Sequence, residues 1–349
     1  MNLGVYILKR LLALIPTLIG ISALVFFMVY LAPGGPVEQA IANMRFSAEM
    51  AGDTSGGSVG SNLDSGVSEE VIESLKRQYG WDKPPPLAYL SWLGKVVQGD
   101  FGKSFSYKKP ALDVIIEKIP ISATFGIVSF LLSYLICIPL GIFKAIKDGS
   151  VFDSVTSAII FVTYSIPAFV VGILLIVWLG PGGADLFPVG GIKSELFDEM
   201  GPMEQFYDLA SHFTLPLVCF VIGSFAVTTV LMKNSMLDEI KKDYVRTAKS
   251  KGLSFFKVTF KHVLRNALIP ICVGFSSVLR IFFTGSILLE TIFDIPGIGL
   301  LSFTSTLQRD INVIMALLMI TSTAGLLSIL LSDIILAFVD PRIDFSKKT

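Results

Sequence analysis

Charge is scarce in this 349-residue chain: 16% of residues are charged, against about 25% in a soluble globular domain, and 52% are hydrophobic. That deficit excludes a surface that faces only water. Cysteine is nearly as rare. Cys137, Cys219 and Cys272 stand far apart, each inside an apolar run, which excludes a disulfide framework and a zinc spacing and leaves three small hydrophobes. The two histidines, His212 and His262, fall on opposite sides of the topology argued below, so no metal ligands are assigned. Neither H-E-x-x-H nor G-x-G-D occurs, so proteolysis lacks its usual parts, and no catalytic residue is assigned. The formal net charge of +0 points to no nucleic-acid partner. The information lies in how the charges are distributed.

About 20 consecutive apolar residues cross a hydrocarbon core of roughly 30 Å. Six stretches qualify: 11–31, 119–143, 155–179, 213–232, 267–289 and 313–339. The first runs 21 residues, too long for the apolar region of a signal peptide, and Ala32-Pro33-Gly34-Gly35-Pro36 after it reads as a turn, so it is expected to be retained as a span. Lys and Arg concentrate in alternate short loops. One set holds Lys144 and Lys147, then nine Lys/Arg from Lys233 to Arg265, then Arg342, Lys347 and Lys348. The other short loops hold only Lys193 and Arg309 beside a group of acids. The positive-inside rule therefore places both termini of a multi-pass membrane protein in the cytoplasm. The expected organisation is a cytoplasmic N-terminus and first span (1–31), an extracytoplasmic insertion (32–118) and a membrane core (119–349) with a cytoplasmic loop at 233–266.

Within the insertion, AGDTSGGSVGSNLDSG has almost nothing to bury and reads as a mobile loop. Ser68 predicts a helix start, with Glu69 and Glu70 in its first turn and Val71, Ile72, Leu75 and Tyr79 on one stripe. Tyr89, Trp92, Leu93 and Val96 form a second amphipathic turn or two after Pro84-Pro85-Pro86. A cap on the bundle and a partner-docking surface both fit these helices. Gly102-Lys103-Ser104 resembles the tail of a phosphate-binding loop, yet the required first glycine would fall at Val97. No nucleotide site is encoded there. No cofactor is expected on this chain, and any ATP is hydrolysed by another.

The loop 233–266 is too long for a turn and too short for a domain. Asp238 is expected to cap a helix with Ile240, Tyr244, Val245 and Ala248 on one side, and Gly252 to stop it, since glycine tolerates the left-handed conformation. A second helix from Ser254 is expected to turn Phe255, Val258 and Val263 towards the bundle. The result is a short basic helix nearly parallel to the membrane, held like a knob. Topology alone explains its charge but not its helix–Gly–helix order.

This segment resembles the EAA loop of ABC-type importer permeases, EAA-x3-G-x9-I-x-LP, with Arg246-Thr247-Ala248 at the EAA positions, Gly252 at the glycine and His262 to Arg265 at I-x-L-P. The acid, isoleucine and proline of that pattern are missing here. Their replacements are those usual in the peptide/nickel permease branch, DYVRTA-x3-KG followed by H-x-LRNA: Asp243 to Ala248, Lys251-Gly252 and His262 to Ala267. Lys9-Arg10 to Thr17, Tyr79-Gly80, Gly99-Asp100, Pro139-Leu140-Gly141, Ser165-Ile166-Pro167-Ala168-Phe169, TGSILLETIFDIPGIG at 284–299 and Asp340-Pro341-Arg342 extend the resemblance almost end to end. The insert and the C-terminal ending look most like the branch that imports oligopeptides and microcin C-type peptides.

The resemblance implies an all-α membrane protein with the type I ABC importer (MetI-like) permease fold. It also implies a second homologous permease as heterodimer partner, two ABC ATPase subunits or domains, and a periplasmic solute-binding protein. In that reading Asp243, Tyr244, Val245, Arg246, Thr247, Ala248, Lys251, Gly252 and Leu253, with His262, Arg265 and Asn266, form the element gripped by the ATPase. A nickel or other metal-chelate importer is the alternative within the family. A secondary transporter is the alternative outside it, but it would usually show an inverted repeat, and none is evident here.

Arg280 is the only basic residue deep in a predicted span. Such a charge costs about 2.5–3.5 kcal/mol at a helix centre unless it faces protein or water. At 100° per residue, Ser276, Ser277, Arg280 and Thr284 share one sector of the expected fifth helix, as a pathway-lining face would. A salt bridge to a partner subunit is the competing role for Arg280. Glu290, at the outer end of that span, is a candidate gate residue. Asp333, late in the sixth span, and the small-residue spacings Thr321-x3-Gly325 and Ser328-x3-Ser332 read as structural.

Overall fold

The computed structural model describes residues 3–31, 73–74, 83–283 and 285–339, without the side chains of Leu3, Ser277 and Leu279. The turn at 32–36, the Gly/Ser run, all of the helix expected from Ser68 except the helical residues 73–74, Thr284 and the motif at 340–342 lie outside the described residues. Among the described residues the regular structure is helical, apart from one isolated bridge between Lys103 and Pro110, with turns and loops between the helices.

The helices are α1 (Leu3–Leu31), α2 (Pro85–Val97), α3 (Ala111–Ile146), α4 (Val151–Ser165), α5 (Ala168–Leu179), α6 (Pro202–Ile240), α7 (Asp243–Ser250), α8 (Phe255–Lys257), α9 (Leu264–Ala267), α10 (Ile269–Gly274), α11 (Ser277–Ile281), α12 (Ile287–Ile292), α13 (Ile298–Leu307) and α14 (Ile311–Val339). A π-helical stretch, Val258–Val263, links α8 to α9. Four of these, α1, α3, α6 and α14, are long and apolar enough to cross a membrane. A fifth span results if α4 and α5 are counted together across their 93° bend. The bend has a local cause. Pro167 lacks an N–H and pushes Ile166 into an extended conformation, φ −96° and ψ 120°, which a helix cannot continue through.

The expected fifth span, 267–289, is not one helix. It is divided into α9, α10, α11 and the start of α12, with turns at Phe275 and Ser276 and an extended residue at Ser286. Pro270 opens α10, and Gly285 takes a positive φ of 26°. Apolar length alone marks hydrocarbon depth and cannot register these interruptions.

The chain forms two compact units: one of Met1–Leu12, Lys118–Leu301 and Thr321–Thr349, the other of Ala13–Glu117 and Ser302–Ile320. In the first, one buried cluster gathers Ile142 and Ala145 of α3, Met232 and Met236 of α6, and Val245, Val258, Ala267 and Ile271. A second gathers Phe125, Leu215, Cys219, Leu289, Phe293 and Ile295, with the Phe125 and Phe213 rings stacked at 4.3 Å. Tyr6 Oη donates to Asp333 Oδ2 at 3.0 Å and Arg10 lies 3.4 Å from the same oxygen, so Asp333 is a paired, structural acid. A Cβ on Gly325 would meet nothing within 4 Å, so this glycine does not serve close helix packing within the chain.

In the second unit Phe26, Ala88, Tyr89 and Met315 are packed together, and Tyr89 Oη donates to the carbonyl of Ile19 at 3.0 Å. Pro85 and Pro86 occupy the first positions of α2, where their missing N–H groups would be unpaired in any case. Gly102-Lys103-Ser104 forms a corner. Ser104 Oγ donates to Asp310 Oδ2 at 2.5 Å, Asn312 Nδ2 donates to the Lys103 carbonyl at 2.7 Å, and Asp310 Oδ1 receives the N–H of Val313 at 3.5 Å as cap of α14. The lookalike phosphate motif is thus a clasp on a helix cap.

Candidate functional site

α6 runs through Asp238 to Ile240, so Asp238 lies inside that helix and is not the cap of the next. Asp is a good cap in isolation, but the fully buried Met232 and Met236 hold the last turns of α6 and override that local preference. α7 starts instead after Lys242, whose side chain makes no capping bond. Val245 and Ala248, three residues apart, point inward, while Asp243, Arg246, Thr247, Lys249 and Ser250 are exposed. The end of α7 is a Schellman turn: Gly252 N–H donates to the Lys249 carbonyl at 2.9 Å and Leu253 N–H to the Ala248 carbonyl at 3.4 Å, with Gly252 at φ 79°. Leu253 completes it by packing on the buried cluster around Met232.

Polar bonds fix α7 further. Tyr244 Oη donates to Glu239 Oε2 at 2.7 Å, Lys242 pairs with Glu239 Oε1, and the Asn266 side chain lies close to both Glu239 and Tyr244. Burial, and then the bond to Glu239, push the Tyr244 hydroxyl up to about 12. Ser235 Oγ donates to the Ala267 carbonyl at 2.7 Å. Ser254 caps α8 by accepting from Lys257 N–H at 3.4 Å, as the sequence predicts. Val258 and Val263 turn inward as expected, but Phe255 does not: it is 55% exposed, in the first turn of α8, before the chain reaches the bundle. Phe256 and Phe260 are also exposed, their rings 4.4 Å apart. His262 is half-buried and Arg265 exposed.

A buried ionic knot ties α3, α4 and α6 together. Lys144, 1% exposed, lies 2.9 Å from Asp153 Oδ1 and donates to Thr156 Oγ1 at 2.7 Å and Ser157 Oγ at 2.8 Å. Lys233 lies 2.7 Å from Asp153 Oδ2 and 2.8 Å from Asp148 Oδ1. Both lysines count as topology charges in the sequence, and nothing local distinguishes them from solvated ones.

Arg280 lines a cavity of about 350 Å³ together with Ser122, Ser129 and Ser133 of α3, Tyr134, and Ser224 and Thr228 of α6. Ser133 and Ser224 share a hydrogen bond of 2.7 Å. Of the predicted stripe on the fifth span, Ser276 and Arg280 are described; Phe275 and Ser276 keep helical dihedrals but tighten the turn by donating to the carbonyls three residues back, Cys272 and Val273. Ser276 is buried, donates to the Val273 carbonyl at 2.8 Å, and its own carbonyl accepts from Ser328 Oγ. The Ser277 side chain and Thr284 lie outside the described residues.

Glu290 is 1% exposed. Its carboxylate accepts from Ser122 Oγ at 3.1 Å, Ser286 N–H at 3.1 Å and Leu300 N–H at 2.8 Å. Built on Gly297, a Cβ would sit 2.6 Å from this carboxylate, so the IPGIG turn can wrap it only with glycine there. Glu290 is therefore the central post of the 285–300 loop.

Residues 137–345, more than half the chain, match the family of binding-protein-dependent transport system inner membrane components. The chain belongs to this family. The permease is 42% identical to the peptidoglycan transport system permease protein YejB of Agrobacterium fabrum, over 99% of this chain and 100% of the relative. It is 33% identical to the oligopeptide transport system permease protein AppB of Bacillus subtilis (98% and 100% covered), and 30% identical to the dipeptide transport system permease protein DppB of Escherichia coli K12 (98% and 99% covered). It is a multi-pass inner-membrane transport component, not an enzyme, of a type that works with ATPase and binding-protein partners.

The permease's serine face on α3 lies outside the site residues expected from the sequence. Its signal was present: Ser122, Gly126, Ser129 and Ser133 recur at helical spacing inside an apolar run.

Proposed function

We propose that this permease carries peptides through a polar cavity governed by Arg280, driven by ATPase subunits that dock on α7. The observation that carries this reading is the seating of α7. Its inner face, Val245 and Ala248, is buried in a cluster shared with the 258–263 stretch, α3 and α6, its end is locked by a Schellman turn, and its outer face is left polar and exposed. A push on such an element passes to the packed helices beneath it instead of being absorbed as local bending.

In this reading the six-span topology has both termini in the cytoplasm and residues 32–118 outside, where the binding protein delivers its load. A second homologous permease completes the pathway as a heterodimer. ATP-driven closure of two ATPases on α7 and its counterpart then switches the paired bundles between inward- and outward-facing states. Asp243, Arg246, Thr247, Lys251 and Arg265 present the docking surface, and Tyr244 and Asn266 hold it in place. Phe255, Phe256 and Phe260 add an exposed apolar flank beside it. Arg280 offers a guanidinium to a peptide carboxylate, with serine hydroxyls around it.

Uptake of a labelled peptide, assayed with and without the cognate ATPase, tests the reading. Import should disappear without the ATPase, and persistence would contradict it. Arg280→Gln should leave the complex assembled while lowering peptide uptake. Loss of assembly would instead assign Arg280 to a subunit salt bridge.

A further inference from the structure

Residues on α2, on the 98–108 corner and at the adjoining ends of α1 and α14 enclose a second cavity, of about 270 Å³. Its floor is apolar, with Phe26, Trp92 and Met315 among the lining residues. Lys95, Lys103 and Lys108 stand around it, and Lys83 reaches Ser91, another lining residue, at 3.5 Å. Asp100 is the one acid on the described lining, and one of its oxygens already accepts the Gly102 N–H at 2.8 Å. The lysines therefore outnumber the acid, which favours an anionic occupant.

With the ends of these two apolar helices taken as the membrane surface, position along them narrows the kind of occupant. Met315 lies four residues inside the start of α14 and Phe26 five residues inside the end of α1, about 6–8 Å along each helix at 1.5 Å per residue. Amphipathic groups settle at that depth, between headgroups and acyl chains. Basic pockets between spans bind lipid headgroups by the same combination of charge and depth. We propose that this cavity holds an anionic phospholipid, its phosphodiester on Lys95, Lys103 and Lys108 and the start of an acyl chain against Phe26 and Met315. The leaflet, the outer one, rests on the orientation proposed above. The preference for an anionic amphiphile does not depend on it.

The full transporter, purified in detergent and offered phosphatidylglycerol and phosphatidylcholine in equal amounts, should retain phosphatidylglycerol on this chain in native mass spectra. The combined K95Q, K103Q and K108Q variant should retain it on the order of a hundredfold less, at roughly fivefold per lysine near a membrane surface. The matching lysine-to-arginine variant should keep it. Met315→Trp, which fills the floor and leaves every lysine, should lose it. If the glutamine variant fails to assemble, raising salt over the wild-type complex should release the lipid by screening. The proposal is overturned by equal retention of the two lipids, by retention that neither the substitutions nor salt weaken, or by displacement with inorganic phosphate, which would mark a plain oxyanion site.

Discussion

Asp153 shows how much a single residue decides in a low-dielectric interior. It is the shared counter-charge of Lys144, 1% exposed, and Lys233, 17% exposed. Removing one partner of a buried ion pair costs about 3–5 kcal/mol, because the other charge is left without compensation. Asp153→Asn should therefore lower the thermal stability of the purified permease by about that amount. Lys144→Met should cost less, since Asp153 keeps Lys233 and methionine fills the space of the lysine stem. Equal losses in the two variants would contradict the shared role. Tyr244 is the corresponding residue on α7. Its raised hydroxyl stabilises the fold fully below the unfolded value of 10.0, and that contribution is lost only as pH rises through about 12. Tyr244→Phe should therefore weaken ATPase-coupled transport to the same extent across the physiological pH range, which uptake assays at several pH values would check.

At the level of elements, the legible features were those with a strong local cause. α1, α3, α6 and α14 follow from apolar length, and the end of α7 follows from Gly252. The illegible ones were set by contacts distant in sequence. Asp238 is a good cap overridden by the burial of Met236, and α6 therefore runs on to Ile240. The expected fifth span reads as continuous because hydropathy does not register Pro270, the turn at Phe275 and Ser276, or the loop that Glu290 organises. Glu290 itself looked like a rim residue, because the glycines that close around it lie up to nine positions further along the chain. The cavity was half legible: Arg280 stood out as a lone charge, whereas the serines of α3 blended into an apolar run. Gly252 provides the test at this scale. A Cβ there would meet no atom within 4 Å, so any cost comes from the positive φ alone. Gly252→Val should destabilise the α7 turn by about 1–2 kcal/mol and weaken ATPase association, while Gly252→Asn, which visits that conformation more readily, should stay closer to wild type. Pull-down of the ATPase by each variant measures the difference.

For the whole molecule, the permease joins the packed cluster around α7 to the cavity at Arg280 through helices that serve both. α3 carries Ile142 and Ala145 into the cluster around α7 and Ser122, Ser129 and Ser133 into the cavity wall; α6 carries Met232 and Met236 into the first and Ser224 and Thr228 into the second. In the reading proposed above, a displacement of α7 would reach the cavity along two continuous helices, one a 36-residue and the other a 39-residue element. The most direct test is a photo-crosslinking amino acid at position 246, on the exposed face of α7, in the assembled transporter. Crosslinks to the ATPase subunit, with a yield that changes when ATP is added, are the predicted result. Crosslinks to the solute-binding protein, or none to the ATPase in an intact complex, would contradict the assignment of α7 as the point where ATP hydrolysis is coupled to transport.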